Sequence, residues 1–244
     1  MRIKTQFLLT LASLLAVFFL FEFTPVDLMV EDSFYNSDLH AWLLPRQKDT
    51  WTALLFYVGM KLSIILFGLG MLALYIYSFR SSAKGVKLYR NCLLTLVLCL
   101  ILVPSIIGVL KTVSDVPCPC DILRYGGEYP YFQVLDTKPI EILKQFRCFP
   151  AGHASGGFAL MSLFFLFKRR ENRLIGVGLG LTFGWSMGLY KMFIGDHYLS
   201  HTLISMILAW LIILLIHTAL QEESLLRLKP LKKRSIQSYP CKDK

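Results

Sequence analysis

The chain has 244 residues, 55% of them hydrophobic and 17% charged, against about 25% charged in an average soluble domain. Few charges set between long apolar runs exclude an ordinary soluble fold and point to an integral membrane protein. The net charge of +10 does not indicate nucleic acid, because the cations gather at the ends of apolar runs rather than in one patch.

In chain order, the sequence predicts six spans, near residues 7–24, 55–79, 91–111, 151–167, 174–194 and 201–219. The fold class is therefore all-α and polytopic, with residues 1–244 forming one membrane domain, a core at about 55–220 and a basic tail at 221–244. Arg2 and Lys4 precede the first run. Arg80, Lys84, Lys87 and Arg90 follow the second, and Lys168, Arg169, Arg170 and Arg173 follow the fourth. Arg227, Lys229, Lys232, Lys233 and Arg234 populate the tail. Basic clusters after every second span place both termini in the cytoplasm. "LLAVFFLFEFTPVDL" lacks a small-x-small cleavage site, so the first span reads as an uncleaved anchor.

Residues 25–54 mix Trp42, Pro45 and Trp51 with charges and predict an interfacial helix outside the cytoplasm. Lys61, near the outer end of the second span, reads as a snorkelling lysine. The longest non-apolar stretch, 112–150, lies on the outer side and carries aromatics and glycine turns rather than a disordered composition. The fourth span is short, and its first turn is expected in the interface. In the fifth, "GVGLGLTFGWSMG" offers small residues for close helix packing, not a pore.

This topology puts Lys111, His153, Lys191, His197 and His201 at one level, the outer interface. Ionisable groups gathered there from distant segments indicate a site. In "FPAGH", Pro150 suits a first helical position, which leaves the amides of Ala151, Gly152 and His153 as donors for an anion. Gly152 allows close approach to the backbone. In "YKMFIGDHYLSH", His197 and His201 are four apart and would share a helix face. A neutral His197 held at its second ring nitrogen is a nucleophile for phosphorus, with His201 or a carboxylate as the holder. Lys191 would neutralise phosphate oxygens.

These three segments resemble the motifs K-x6-R-P, P-S-G-H and S-R-x5-H-x3-D of the type 2 phosphatidic acid phosphatase superfamily of membrane lipid phosphatases. The first reads "KTVSDVPCP" from Lys111, the second "PAGH" from Pro150 and the third "YKMFIGDHYLSH" from Tyr190, with order and spacing kept. Five positions depart: Cys118 stands for arginine, Ala151 for serine, Tyr190-Lys191 for Ser-Arg and His201 for aspartate. Arg124 or Arg147 would have to supply the lost cation, and Asp115, Asp121 or Asp196 the lost carboxylate.

The resemblance implies a metal-free, cofactor-free phosphatase. His197 would attack phosphorus, His153 would protonate the leaving oxygen, and His201 would assist as a third catalytic residue. Lys111, Lys191, Arg124 and the amides of Ala151 and Gly152 would hold the phosphate. The implied partners are the membrane and a lipid phosphate, with no nucleic acid. The candidates are lipid A phosphates, undecaprenyl pyrophosphate, phosphatidylglycerophosphate and phosphatidic acid. The implied setting is a bacterial inner membrane with the site facing the periplasm. On that side a Cys118–Cys148 or Cys120–Cys148 disulfide is expected. Alternative readings are a lipid phosphotransferase, a non-catalytic phosphate-binding protein, and a zinc hydrolase using His153, His197, His201 and a cysteine.

Overall fold

The computed structural model describes residues 3–47 and 50–228. Arg2 and the basic tail beyond residue 228 lie outside the described residues. The fold is mostly helical, as the composition requires. Helix α1 (Ile3–Glu22) is predominantly apolar and ends just before Thr24 and Pro25. It lies along the last helix, α9 (Leu199–Leu228).

Between α1 and the second long helix, the structure differs from the single interfacial helix expected at 25–54. A six-residue helix, α2 (Val26–Glu31), is followed by a hairpin of β1 (Tyr35–Asn36) and β2 (Ala41–Trp42). Turn chemistry is the cause: the Asn36 side chain accepts from the amides of Asp38 and Leu39 and bends the chain back. Asp27 of α2 reaches the start of α9, where its carboxylate accepts from the Ser200 amide and hydroxyl and caps that helix.

The second long helix is continuous from Trp51 to Arg80. It comprises α3 (Trp51–Ala53), a π-helical turn over Leu54–Gly59, and α4 (Met60–Arg80). A short α5 (Lys84–Leu88) leads into α6 (Arg90–Val113). After the long outer loop come α7 (Gly152–Ala159), extended as a 3-10 helix over Leu160–Phe165, and then α8 (Arg170–Phe193).

Among the described residues, four helical stretches are long and apolar enough to cross a membrane: Ile3–Glu22, Trp51–Arg80, Arg90–Val113 and Leu199–Glu222. The fourth and fifth expected spans are helical but do not meet that standard. The eight α and six 3-10 residues from Gly152 to Phe165 extend about 24 Å, short of a ~30 Å hydrocarbon core. Helix α8 is long enough, but its glycines dilute its apolar character.

Those glycines place α8 against its neighbours. Gly176, Gly180, Gly184 and Gly188 recur every four residues and form one face. A Cβ at Gly184 would stand 2.2 Å from the Phe158 ring, and one at Gly157 would stand 2.4 Å from the Gly184 backbone. Only hydrogen at these positions lets α7 and α8 meet backbone to backbone. Helix α7 is thereby central, held among α4, α6, α8 and α9. The core joins Cys99, Val103 and Ile107 of α6 to Phe158 of α7 and Ile213 of α9. Outward faces stay apolar: Leu66 and Leu69 of α4 are 59% and 57% exposed. Such faces fit hydrocarbon rather than water, so the chain fits an integral membrane protein.

Candidate active site

Three segments converge on the start of α7. The first is the end of α6, with Lys111 in its last turn. The Lys111 side chain crosses over Gly152, and a Cβ added at Gly152 would touch Lys111 Cδ at 3.5 Å. The second is the loop before α7, where Cys118 and Cys148 are bonded as a disulfide with Cα atoms 5.2 Å apart. The third is the α8–α9 turn, which Gly195 makes with φ +75°. A Cβ at Gly195 would lie 2.3 Å from the Trp42 ring, so conformation and space both demand glycine.

These segments enclose a cavity of about 620 Å³. Its polar wall carries Lys61, Lys111, Arg147, His153, Lys191 and His197. Deeper along α4 and α6 the wall turns apolar, with Ile64, Ile65, Leu100 and Pro104. His153 stacks on Tyr57 at 4.4 Å between centroids, and its Nε2 has no partner. His197 is 3% exposed, and its Nδ1 lies 3.6 Å from Cys148 Sγ. That contact leaves Nε2 as the nitrogen for a ligand. Burial, reinforced by Lys111, His201 and Lys191, drives His197 well below the ordinary imidazole value, so it stays neutral.

Lys191 is already matched. Its Nζ lies 2.7 Å from Asp196 Oδ2, while Arg46 holds Oδ1 of the same carboxylate at 2.9 Å. Lys191 also sits 4.6 Å over the Tyr57 ring.

The structure thus gathers Lys111, Gly152, His153, Lys191 and His197, and leaves three expected groups elsewhere. The Ala151 amide donates to the His201 carbonyl at 3.1 Å, so it is not offered to a ligand. The reason is that α7 starts at Gly152 with Ala151 as N-cap, and Pro150 precedes the cap rather than opening the helix. Arg124 forms two hydrogen bonds to Asp32 and is not on the cavity wall. His201 lines a separate small cavity with Asp27, Tyr198 and Ser200, and its Nδ1 is buried without a partner. His197 precedes α9 and His201 lies within it, so they do not share a helical face, yet their rings meet edge to face with centroids 5.7 Å apart.

No candidate carboxylate holds His197 among the described residues. Asp115 binds Lys138 and the Phe146 amide, Asp121 binds Lys144 and the Cys118 amide, and Asp196 binds Lys191 and Arg46. Donor atoms of Cys148, His197 and His201 lie within 4.8 Å of one another, but a disulfide sulfur is not a thiolate. Two histidines alone fall short of the three protein ligands usual for catalytic zinc, so this set does not fit the metal.

A family model described as the PAP2 superfamily matches residues 92–224, more than half of the chain. The chain belongs to the PAP2 superfamily. No curated protein and no solved structure matches it. PAP2 members are phosphatases, which supports a phosphoric ester hydrolase here. The PAP2 match takes in Lys111, His153, Lys191 and His197 but ends short of α4. Tyr57 and Lys61 therefore come from outside it, as does Arg46. The sequence held one signal for the first two: they are four residues apart, the spacing of neighbours on one helical face.

Proposed function

We propose that the chain is an integral membrane phosphatase that hydrolyses a lipid phosphate, monoester or pyrophosphate, at the extracytoplasmic face through a phosphohistidine. Six spans, cytoplasmic termini and a site facing the periplasm of a bacterial inner membrane are part of this proposal. The observation that carries it is one cavity that holds His153 with a partnerless Nε2, His197, and the cations Lys61, Lys111 and Arg147, and whose far wall is apolar. That is the lining an anionic head on a hydrocarbon tail requires.

His197 Nε2 attacks phosphorus in line with the departing oxygen. His153, against Tyr57, donates a proton to that oxygen and then takes one from the water that hydrolyses the intermediate. Lys111, Lys191 and the amides of Gly152 and His153 at the start of α7 meet the charge on the equatorial oxygens. The Cys148 sulfur is a weak acceptor beside His197 Nδ1 and favours the tautomer with Nε2 free.

The test is phosphate release from a lipid panel by purified protein, with His153→Ala and His197→Ala as controls and mass spectrometry for phosphohistidine. Full activity in both variants would remove the assigned roles. A wild type that binds phosphate yet releases none would favour the binding-only reading.

A further inference from the structure

We infer that the substrate is a lipid diphosphate, and that Lys61, with Arg147, forms a second phosphoryl subsite beside His153. This rests on the phosphatase reading above.

Charge is the first ground. Lys61, Lys111 and Arg147 all line the cavity, and among the described residues none has a carboxylate partner. Lys191 is matched by Asp196. A phosphate monoester carries at most about two negative charges. Lys111 and the open helix start meet most of that charge. Lys61 and Arg147 are in excess for a monoester, and a second phosphoryl group brings the charge they lack.

Position is the second ground. Tyr57 stacks on His153, and Lys61 follows Tyr57 by four residues, so Lys61 stands on the His153 side of the cavity. Ile64 and Ile65 come one turn further along α4 and line the same cavity. Helix α6 has the same order, with Lys111 at the outer end and Pro104 and Leu100 deeper. A terminal phosphoryl at His197 and Lys111, an inner phosphoryl at Lys61 and a tail against the four apolar side chains follow that sequence. Lys61 lies outside the stretch matched to the family, 92–224, and Arg147 lies inside it, so α4 adds one half of this subsite.

The chemistry agrees. The His197 Nε2 lone pair forms an N–P bond to the terminal phosphorus. The bond from that phosphorus to the bridging oxygen breaks, its electron pair stays on the oxygen, and that oxygen takes a proton from His153. The leaving group is then a lipid monophosphate, with a second pKa near 6, which departs far more readily than an alkoxide. Lys61 lies where that leaving phosphate is released. Water next forms a P–O bond as the P–N bond breaks, the pair returns to Nε2, and His153 accepts the water's proton. The sum is diphosphate and water to monophosphate and inorganic phosphate.

The experiment compares phosphate release from farnesyl diphosphate and farnesyl monophosphate, one tail with two heads, by the full chain in detergent. Wild type is expected to favour the diphosphate at least ten-fold in kcat/KM, and Lys61→Gln to bring the ratio near one. A second measurement needs no variant: inorganic pyrophosphate should inhibit wild type at a ten-fold lower concentration than inorganic phosphate. Equal inhibition, a ratio unmoved by Lys61→Gln, or a preference for the monophosphate overturns the inference while leaving the phosphatase reading in place. Release from neither substrate overturns both.

Discussion

The cations of the outer loops and those of the cavity lie close together in the fold but are treated differently. In the loops each described pair is closed: Arg124 with Asp32, Lys138 with Asp115, Lys144 with Asp121, Arg46 with Asp196. On the cavity wall Lys61, Lys111 and Arg147 stand without carboxylates, next to one lysine that has one. A paired cation helps hold two segments in place and adds little binding capacity. An unpaired one repels its neighbours in the empty protein and is relieved only by an anion. The loop region is therefore built for position and the cavity for a ligand.

The largest effect separating the two should come from Lys111→Met. The charge meets the developing phosphoryl negative charge, and loss of one such donor typically slows catalysis about 10²–10³-fold. No carboxylate loses a partner, and like-charge repulsion falls, so the melting temperature should hold or rise. A variant that melts earlier, or that keeps its rate, breaks the contrast. Next is the covalent tie between the regions, the Cys118–Cys148 bond, which closes a separation of 30 residues. Replacing both cysteines with alanine should lower stability by about 3 kcal/mol in a denaturant titration. Activity should fall as well, since Cys148 packs against His197.

Part of this contrast was legible in the sequence. Histidines and lysines at the ends of apolar runs have few bland roles once a topology is drawn, so Lys111, His153, Lys191 and His197 stood out, and motif spacing joined them. The unreadable part concerns faces. Nothing in the sequence says which side of α4 meets α7, so Lys61 read as snorkelling although it lines the cavity. The His-x3-His spacing implied a shared face, but the turn at Gly195 leaves His197 outside α9. The Ala151 amide looked free because its acceptor, the His201 carbonyl, is fifty residues away in the sequence. In 25–54, the expected helix is confined to α2, because the Asn36 side chain turns the chain into a hairpin. The fourth span read as short and the fifth as rich in small residues, but hydropathy does not report that α7 gives way to a 3-10 helix.

Asp196 allows the contrast to be redrawn. Asparagine there unpairs Lys191 at a site where its side chain is 15% exposed, turning a matched cation into a fourth free one. At an effective dielectric of about 20 such a charge contributes about 4 kcal/mol to an anion ~4 Å away and on the order of 1–2 kcal/mol at roughly 8–16 Å. Inorganic phosphate should inhibit Asp196→Asn at about ten-fold lower concentration than wild type. Unchanged inhibition would mean that Lys191 does not reach the ligand.

The smallest effect belongs to Arg124→Ala, and its size is the point. The Arg124 and Asp32 side chains are 53% and 40% exposed, so water and salt screen the pair and it is worth at most about 1 kcal/mol. The Arg124 hydrogen bond, helped by Tyr125, holds the Asp32 carboxyl below its usual value. Its stabilisation is therefore present above the unfolded carboxylate pKa and is lost as pH falls through the lower folded one. The stability gap between wild type and Arg124→Ala should thus be small at neutral pH, shrink towards pH 3 and shrink again in high salt. Phosphate release should stay within two-fold of wild type, because Arg124 is spent on Asp32 and does not reach the cavity. A ten-fold loss of activity would instead restore Arg124 as the cation that Cys118 displaced, and would show that loop pairs open to admit the substrate.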